Sequence, residues 1–116
     1  METVGTLFYG AARTAIDLDD RVLAHIQIVV ISKLRRRESF ALTWSDGANV
    51  GYGRSTVWIN PGTDLHFRFS GSRPPAIDRD WLETMVASAN SANGLHIDEA
   101  TLAEAPHPSS RGPQFD

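Results

Sequence analysis

An unusual group of aromatic and cationic side chains lies between residues 55 and 73, around the dipeptide Pro61-Gly62. On both sides of that dipeptide, alternation of apolar and polar residues predicts two β-strands. One face of these strands is apolar and typical of a core. The other face carries Trp58, His66 and Arg68, which a sheet does not need in order to fold. Tryptophan can stack on a base, and arginine binds phosphate or carboxylate through two parallel hydrogen bonds.

The separation of these two faces depends on the length of the loop that joins the strands. A three-residue loop over residues 61–63 would place Ile59 opposite Leu65 on the apolar face. The same register places Trp58 opposite His66 on the outward face. A two-residue loop would mix polar and apolar side chains on both faces. We therefore predict a β-hairpin with a three-residue loop and an outward face that is free to bind a partner.

The basic residues of the chain are nearly all arginines, and Lys33 is the one lysine. Arginines at the end of a predicted helix and beside the predicted hairpin would together contact phosphates. The net charge of −3 opposes this interpretation, so nucleic acid, DNA or RNA, is favoured only slightly over a protein partner or a second copy of the chain. The predicted binding residues are Trp58, Arg68, His66, Arg54, Arg73, Arg36 and Arg37.

Other chemistries have weaker support in the sequence. The glycine-rich residues 48–55 approach a phosphate-binding loop, but a predicted strand follows them where that motif needs a helix. Asp19 and Asp20 suit the start of a helix better than a cation site. The histidines lack metal-ligand spacing, and no nucleophile and base stand in a known frame. We therefore predict a non-enzymatic binding module with no catalytic residue, metal or cofactor.

The remaining pattern predicts an α+β fold in the form of a two-layer sandwich, a mostly antiparallel sheet with two helices. Helix one should begin at Asp19 or Asp20, with Asp19 as its N-cap, and run to about Arg37. Helix two should begin near Asp78, and Gly94 is suited to a left-handed cap beyond its end. The predicted strands cover residues 4–9, 14–17, 39–45, the two arms of the hairpin, and 95–97. The element order is β-β-α-β-β-β-α-β.

Helix one has a wider apolar surface than one sheet requires. Ile28 and Ile31 extend its apolar stripe beyond the face that would pack on a sheet. A second helix or a partner subunit is expected to cover this extra surface. Homodimerisation is accordingly one alternative to nucleic-acid binding.

The length of 116 residues indicates one domain, which we assign to residues 1–104. Residues 105–116 are rich in Pro, Ser and Gly and are predicted to be a disordered tail. The chain has no cysteine, no visible signal peptide and no apolar run long enough to span a bilayer. A cytoplasmic location without membrane contact is expected.

Several segments together resemble a family of short, uncharacterised actinobacterial proteins, over about residues 4–97. Family members often carry the label "ATP-dependent DNA ligase", which implies an association with DNA. A ligase needs a nucleophilic lysine in a K-x-D-G setting, whereas Lys33 is followed by Leu-Arg-Arg. The resemblance therefore implies no catalytic residue. The matching segments are residues 5–10, 19–25, 33–36, 53–55, 58–61, 67–71 and 73–75, with Trp81 and Asn90-Ser91.

Overall fold

A computed structural model of the protein describes residues 3–45 and 53–97. The described elements confirm the α+β class and the predicted order β-β-α-β-β-β-α-β. The predicted tail over residues 105–116 and most of the glycine-rich connection, residues 46–52, lie outside the described residues. The elements are β1 (Val4–Tyr9), β2 (Thr14–Asp19), α1 (Asp20–Arg35), β3 (Phe40–Ser45), β4 (Arg54–Ile59), β5 (Leu65–Arg68), α2 (Arg79–Ala89) and β6 (Leu95–Ile97).

The strands form two small sheets of three strands each within the described residues. The first sheet has the order β2-β1-β5 and is antiparallel throughout. The second has the order β4-β3-β6, in which β6 runs parallel to β3. Helix α1 packs against β1 and β2, α2 packs against β3 and β6, and the two helices contact each other. Each sheet thus has a helix on its inner face and leaves an outer face uncovered by either helix.

The predicted hairpin between the strands flanking Pro61-Gly62 is wrong. Strand β4 pairs with β3, whereas β5 pairs with β1, so consecutive strands belong to different sheets. Residues 60–63 form a turn in which Thr63 N donates to the Asn60 carbonyl at 2.9 Å. The alternation of faces within each strand does hold: Ile59 is fully buried and Trp58 is 57% exposed. Side-chain periodicity predicted the faces correctly, while the pairing partner was decided by distant segments.

Both helices begin at the predicted N-caps. The Asp19 carboxylate accepts a hydrogen bond from Arg21 N at 2.8 Å, and the Asp78 carboxylate accepts one from Trp81 N at 2.8 Å. These contacts satisfy backbone donors that have no partner within the helix. Helix α1 ends at Arg35, slightly earlier than predicted, because the chain turns there and Arg37 has a φ of 62°.

Gly94 has the predicted left-handed backbone, with a φ of 78°. A β-carbon at this position would lie 2.6 Å from the carbonyl oxygen of Ala41 on β3. The glycine thus also permits the close approach of β6 to β3, which the sequence did not reveal.

One continuous hydrophobic core joins the two sheets and the two helices. It receives side chains from both sheets and both helices, which makes the described chain a single packed unit. None of the helices within the described ranges is long and apolar enough to cross a membrane. The buried core residues are Leu7, Ile16, Leu18, Val22, Leu23, Ile26, Val29, Val30, Phe40, Leu42, Ile59, Trp81, Met85, Ala89, Leu95 and Ile97.

Two buried polar side chains near the start of α1 hold the segment that leads from β5 to α2. The Asp20 carboxylate is 3% exposed and accepts hydrogen bonds from Ser70 N at 3.2 Å and Gly71 N at 2.9 Å. His25 is fully buried and accepts at Nε2 from Asp78 N at 3.0 Å. Both ends of the 70–78 segment are therefore anchored to the same helix.

A third buried polar side chain, Lys33, joins the far ends of the two helices. Its ammonium group donates to the Asn90 side-chain oxygen at 2.6 Å and to Glu38 at 3.3 Å. Asn90 is the residue at which α2 ends. The one lysine of the chain is thus a structural contact between the helices.

Candidate functional site

The outer face of the first sheet is built around Phe8 in the middle of β1. Leu7 points into the core and is fully buried, so the alternation of the strand directs Phe8 outward. Across the sheet, Phe8 lies opposite Ala15 on β2 and His66 on β5. Alanine is too small to cover an aromatic ring, and the Phe8 side chain is only half-buried. A partly exposed aromatic ring thus lies at the centre of this outer sheet face.

Arg13 reaches this surface from the turn between β1 and β2. Its φ of 56° is unusual for a residue with a side chain and follows the left-handed Gly10. The guanidinium carbon lies 4.3 Å from the centre of the Phe8 ring, a cation–π distance. Its Nη2 donates to His66 Nδ1 at 3.3 Å. Because a guanidinium can only donate, this contact makes Nδ1 of His66 the acceptor.

Arg68 approaches the same ring from the strand on the other side of β1. Its guanidinium carbon lies 5.9 Å from the centre of the Phe8 ring. The centres of the Phe8 and His66 rings are 5.2 Å apart. We call the group of Phe8, Arg13, His66 and Arg68 the Phe8 platform. Within the described residues, neither of its guanidinium groups lies at ion-pair distance from a carboxylate. Both cations therefore remain available to an anionic ligand.

An acidic residue limits the positive character of this face. Asp17 on β2 points outward and accepts a hydrogen bond from the Thr6 hydroxyl at 2.9 Å. Thr6 is opposite Asp17, and Phe8 is opposite Ala15. Asp17 is therefore two residues along β2 from the neighbour of Phe8 and on the same outer face of the sheet. The platform thus has a cationic side and an acidic border, so it can contact few phosphates at once.

The structure brings together only two of the seven predicted binding residues. His66 and Arg68 lie on the first sheet beside Phe8, as described above. Trp58 and Arg54 are exposed on β4 in the second sheet. Arg36 and Arg37 are exposed after the end of α1, and Arg73 lies in the segment between β5 and α2. The seven residues are thus distributed over both sheets, the end of α1 and the segment between β5 and α2.

The two sheets are joined near the platform. The Tyr9 hydroxyl donates to the carbonyl oxygen of Trp58 at 2.6 Å, and Gly10 N donates to the carbonyl of Asp64 at 2.8 Å. The end of β1 thus contacts both arms of the segment that was predicted as a hairpin. Trp58 lies opposite Ala41 on β3, and this small neighbour leaves the indole exposed.

Sequence reasoning missed Phe8 and Arg13, the centre of the platform. The run Leu7-Phe8-Tyr9 is apolar throughout, so periodicity gave no indication of which side chain points outward. Arg13 lies between the predicted strands 4–9 and 14–17, where no pattern marks it as a binding residue. Gly10 was the sequence feature that could have indicated this position. A glycine there permits a tight turn between β1 and β2, and that turn places Arg13 over β1.

The structure also bears on the phosphate-binding-loop hypothesis. The glycine-rich stretch is followed by strand β4, which pairs antiparallel with β3, and not by the helix that a phosphate-binding loop requires. No three histidine or acidic side chains in residues 3–45 and 53–97 are grouped so that they could hold a metal ion.

The comparison with known proteins gives one match. A family model described as a domain of unknown function, DUF7882, matches residues 4–100. No curated protein and no solved structure matches the chain significantly.

Proposed function

The chain belongs to the DUF7882 family, and we propose from its own geometry that it is a non-enzymatic module that binds single-stranded nucleic acid through the Phe8 platform. The observation that carries the proposal is the position of two arginines, neither ion-paired within the described residues, beside a half-buried aromatic ring. A base stacked on an aromatic side chain contributes about 1–3 kcal/mol, largely independent of sequence. The adjacent guanidinium groups are placed to bind the flanking phosphates.

The charge of the molecule predicts that this binding is weak. The net charge is −3, and Asp17 borders the platform, so about two phosphates are neutralised. For single strands, the logarithm of the affinity should then fall against the logarithm of salt concentration with a slope of about −1.4. We expect a dissociation constant near the weak end of non-specific binding, about 10⁻⁴ M.

A buried lysine supports the non-enzymatic part of the proposal. Lys33 is 7% exposed, and its ammonium group is hydrogen-bonded to Asn90 and Glu38. A nucleophilic amine must instead be free to reach its substrate. The proposal therefore includes no covalent step at this residue.

Fluorescence anisotropy with a labelled single strand of about eight nucleotides tests the proposal directly. Replacing Arg68 by Gln should halve the salt slope, to about −0.7, because one phosphate contact is lost. Phe8→Thr keeps a residue suited to a strand and should abolish measurable binding. Arg79→Gln, an exposed arginine at the start of α2, is the matched control and should retain the wild-type slope.

The proposal fails if the wild-type protein does not bind at about 50 mM salt. It also fails if Arg68→Gln and Arg79→Gln weaken binding equally, since that would indicate only a general effect of charge. Circular dichroism of each variant establishes that the fold is intact.

Protein docking is the second candidate function, and Trp58 is the observation that favours it. Its side chain is 57% exposed, and tryptophan is among the residues that dominate binding energy at protein interfaces. In the same anisotropy titration, Trp58→Ala should weaken binding if the nucleic acid also crosses the second sheet. Unchanged affinity would exclude Trp58 from the nucleic-acid surface and leave it available to a protein partner.

A further inference from the structure

A groove separates helix α1 from the segment that follows β5, on the side of α1 away from the Phe8 platform. Its volume is about 460 Å³, within the range of small-molecule sites. Ile28 and Ile77 line it and are 37% and 39% exposed. The other apolar lining residues are Ala24, Phe69, Pro74 and Pro75.

The walls of this groove are held in place without a ligand. Asp20, in the first turn of α1, binds the backbone of Ser70 and Gly71 at one end of the outer wall. His25, one turn along the same helix, binds the backbone of Asp78 at the other end. Pro74 and Pro75 restrict the backbone between these anchors. A ligand would therefore lose little free energy in ordering the site.

The polar side chains that line the groove favour a ligand with a negative charge. Arg73 lies in its lining, is exposed, and forms no ion pair within the described residues. Gln27 and Ser72 add further hydrogen-bond donors, and none of the described carboxylates contributes to the lining. The Asp20 carboxylate behind the wall already accepts two backbone hydrogen bonds. The groove thus combines an apolar surface with an available cation.

We infer that this groove binds a small apolar molecule that carries one carboxylate, of the medium-chain fatty-acid class. The hydrocarbon chain would lie against Ile28, Phe69 and Ile77, and the carboxylate would bind the Arg73 guanidinium. A neutral molecule would leave Arg73 without a partner, and a strongly polar one would leave the isoleucines in water. This site is independent of the proposed nucleic-acid surface, because Phe8 lies on the sheet face that α1 does not cover.

Calorimetric titration with octanoate, decanoate and dodecanoate below their micellar concentrations tests the inference. Affinity should rise about three- to four-fold per added methylene until the groove is filled. Dodecanol, which has the same chain but no charge, should bind about ten-fold more weakly than dodecanoate. Arg73→Gln should remove that difference between acid and alcohol, while Arg79→Gln, an arginine outside the groove lining, should preserve it.

Two further measurements locate the ligand and separate it from other occupants. Ile28→Asp places a carboxylate in the groove at an exposed helix position and should abolish dodecanoate binding, with helicity retained. Absence of binding by dodecanoate, or equal binding of acid and alcohol, would overturn the inference. So would a stable dimer in light scattering that Ile28→Asp dissociates, because a second copy would then occupy the groove. Unchanged anisotropy of the nucleic-acid probe in Arg73→Gln keeps this test separate from that of the Phe8 platform.

Discussion

His25 keeps both ring nitrogens hydrogen-bonded although its side chain is completely buried. Nδ1 lies 2.7 Å from the Arg21 carbonyl oxygen and must donate to it, whereas Nε2 accepts from Asp78 N. The ring also packs against Trp81, with centres 4.4 Å apart. This arrangement needs the neutral imidazole, because a proton on Nε2 would face the Asp78 N–H. Burial accordingly lowers the pKa of His25 from its ordinary value of 6.5, and hydrogen bonding to the Arg21 carbonyl only partly opposes that effect.

The lowered pKa of His25 predicts a loss of stability in mild acid. Below pH 6.5 the unfolded chain binds a proton at this residue, while the folded chain does so only at a lower pH. Within that window the free energy of unfolding should fall by up to about 1.4 kcal/mol per pH unit. Well above pH 6.5, where the unfolded chain no longer protonates this residue, His25 should contribute no pH dependence. Urea unfolding between about pH 5 and 8 measures both slopes.

The substitution His25→Gln isolates this contribution. Glutamine does not titrate. The free energy of unfolding should therefore change less steeply with pH below pH 6.5 than it does in the wild-type protein. The free energy of unfolding of the variant should also be about 1–3 kcal/mol lower at neutral pH, because two buried hydrogen bonds are disturbed. Identical slopes in the two proteins would contradict the proposed cause.

At the scale of residues, the sequence predicted exposure better than proximity. Alternation within one strand is enough to direct His66 and Arg68 outward, and their exposure follows from it. The association of Phe8 with His66 instead depends on the pairing of β1 with β5, which lie far apart in the chain. Arg13 joins them through a left-handed backbone that arginine rarely adopts. Neither relation is encoded in local periodicity.

At the scale of elements, the sequence predicted the helix starts correctly but predicted the wrong partners for strands β4 and β5. Asp19 and Asp78 cap their helices with contacts two or three residues away, which a sequence displays directly. The β4–β5 hairpin failed because two better partners were available: β3 for β4 and β1 for β5. Separating these strands lets each sheet present its own apolar face to its own helix. Burial in the shared core therefore outweighed the short loop at Pro61-Gly62.

The contact between the ends of the two helices should be measurable as a coupling free energy. Lys33 and Asn90 form a short hydrogen bond with the lysine buried, so a double-mutant cycle with Lys33→Met and Asn90→Ala should give about 1.5–2 kcal/mol. The Lys33–Glu38 pair is longer, and the Glu38 side chain is 44% exposed. Its coupling, measured with Glu38→Ala, should be below about 1 kcal/mol.

Urea unfolding of the single and double variants supplies both cycles from the same set of proteins. Equal coupling for Asn90 and Glu38 would show that the positive charge of Lys33 matters more than its buried hydrogen bond. Zero coupling for Asn90 would mean that the helix ends are held by apolar packing alone.

At the scale of the molecule, two sheet–helix halves share one core and are also joined by polar contacts of His25, Lys33 and Tyr9. The first half contains β2, β1, β5 and α1, and the second contains β4, β3, β6 and α2. His25 and Lys33 of α1 bind residues at the two ends of α2, while Tyr9 of β1 binds the backbone of Trp58 on β4. Because these contacts lie at separate places along the boundary, opening one half would expose the core of the other.

Cooperative unfolding of both halves is the expected consequence, and the positions of the tryptophans allow a direct test. Trp44, Trp58 and Trp81 all belong to the second half, so indole fluorescence reports on that half. Far-ultraviolet circular dichroism is dominated by α1, the longer helix, in the first half. The two signals should give coincident urea transitions, with an m-value of about 1–2 kcal/mol per molar. A fluorescence transition at lower urea than the circular-dichroism transition would mean that the second half unfolds independently, and that the shared core does not couple the sheets.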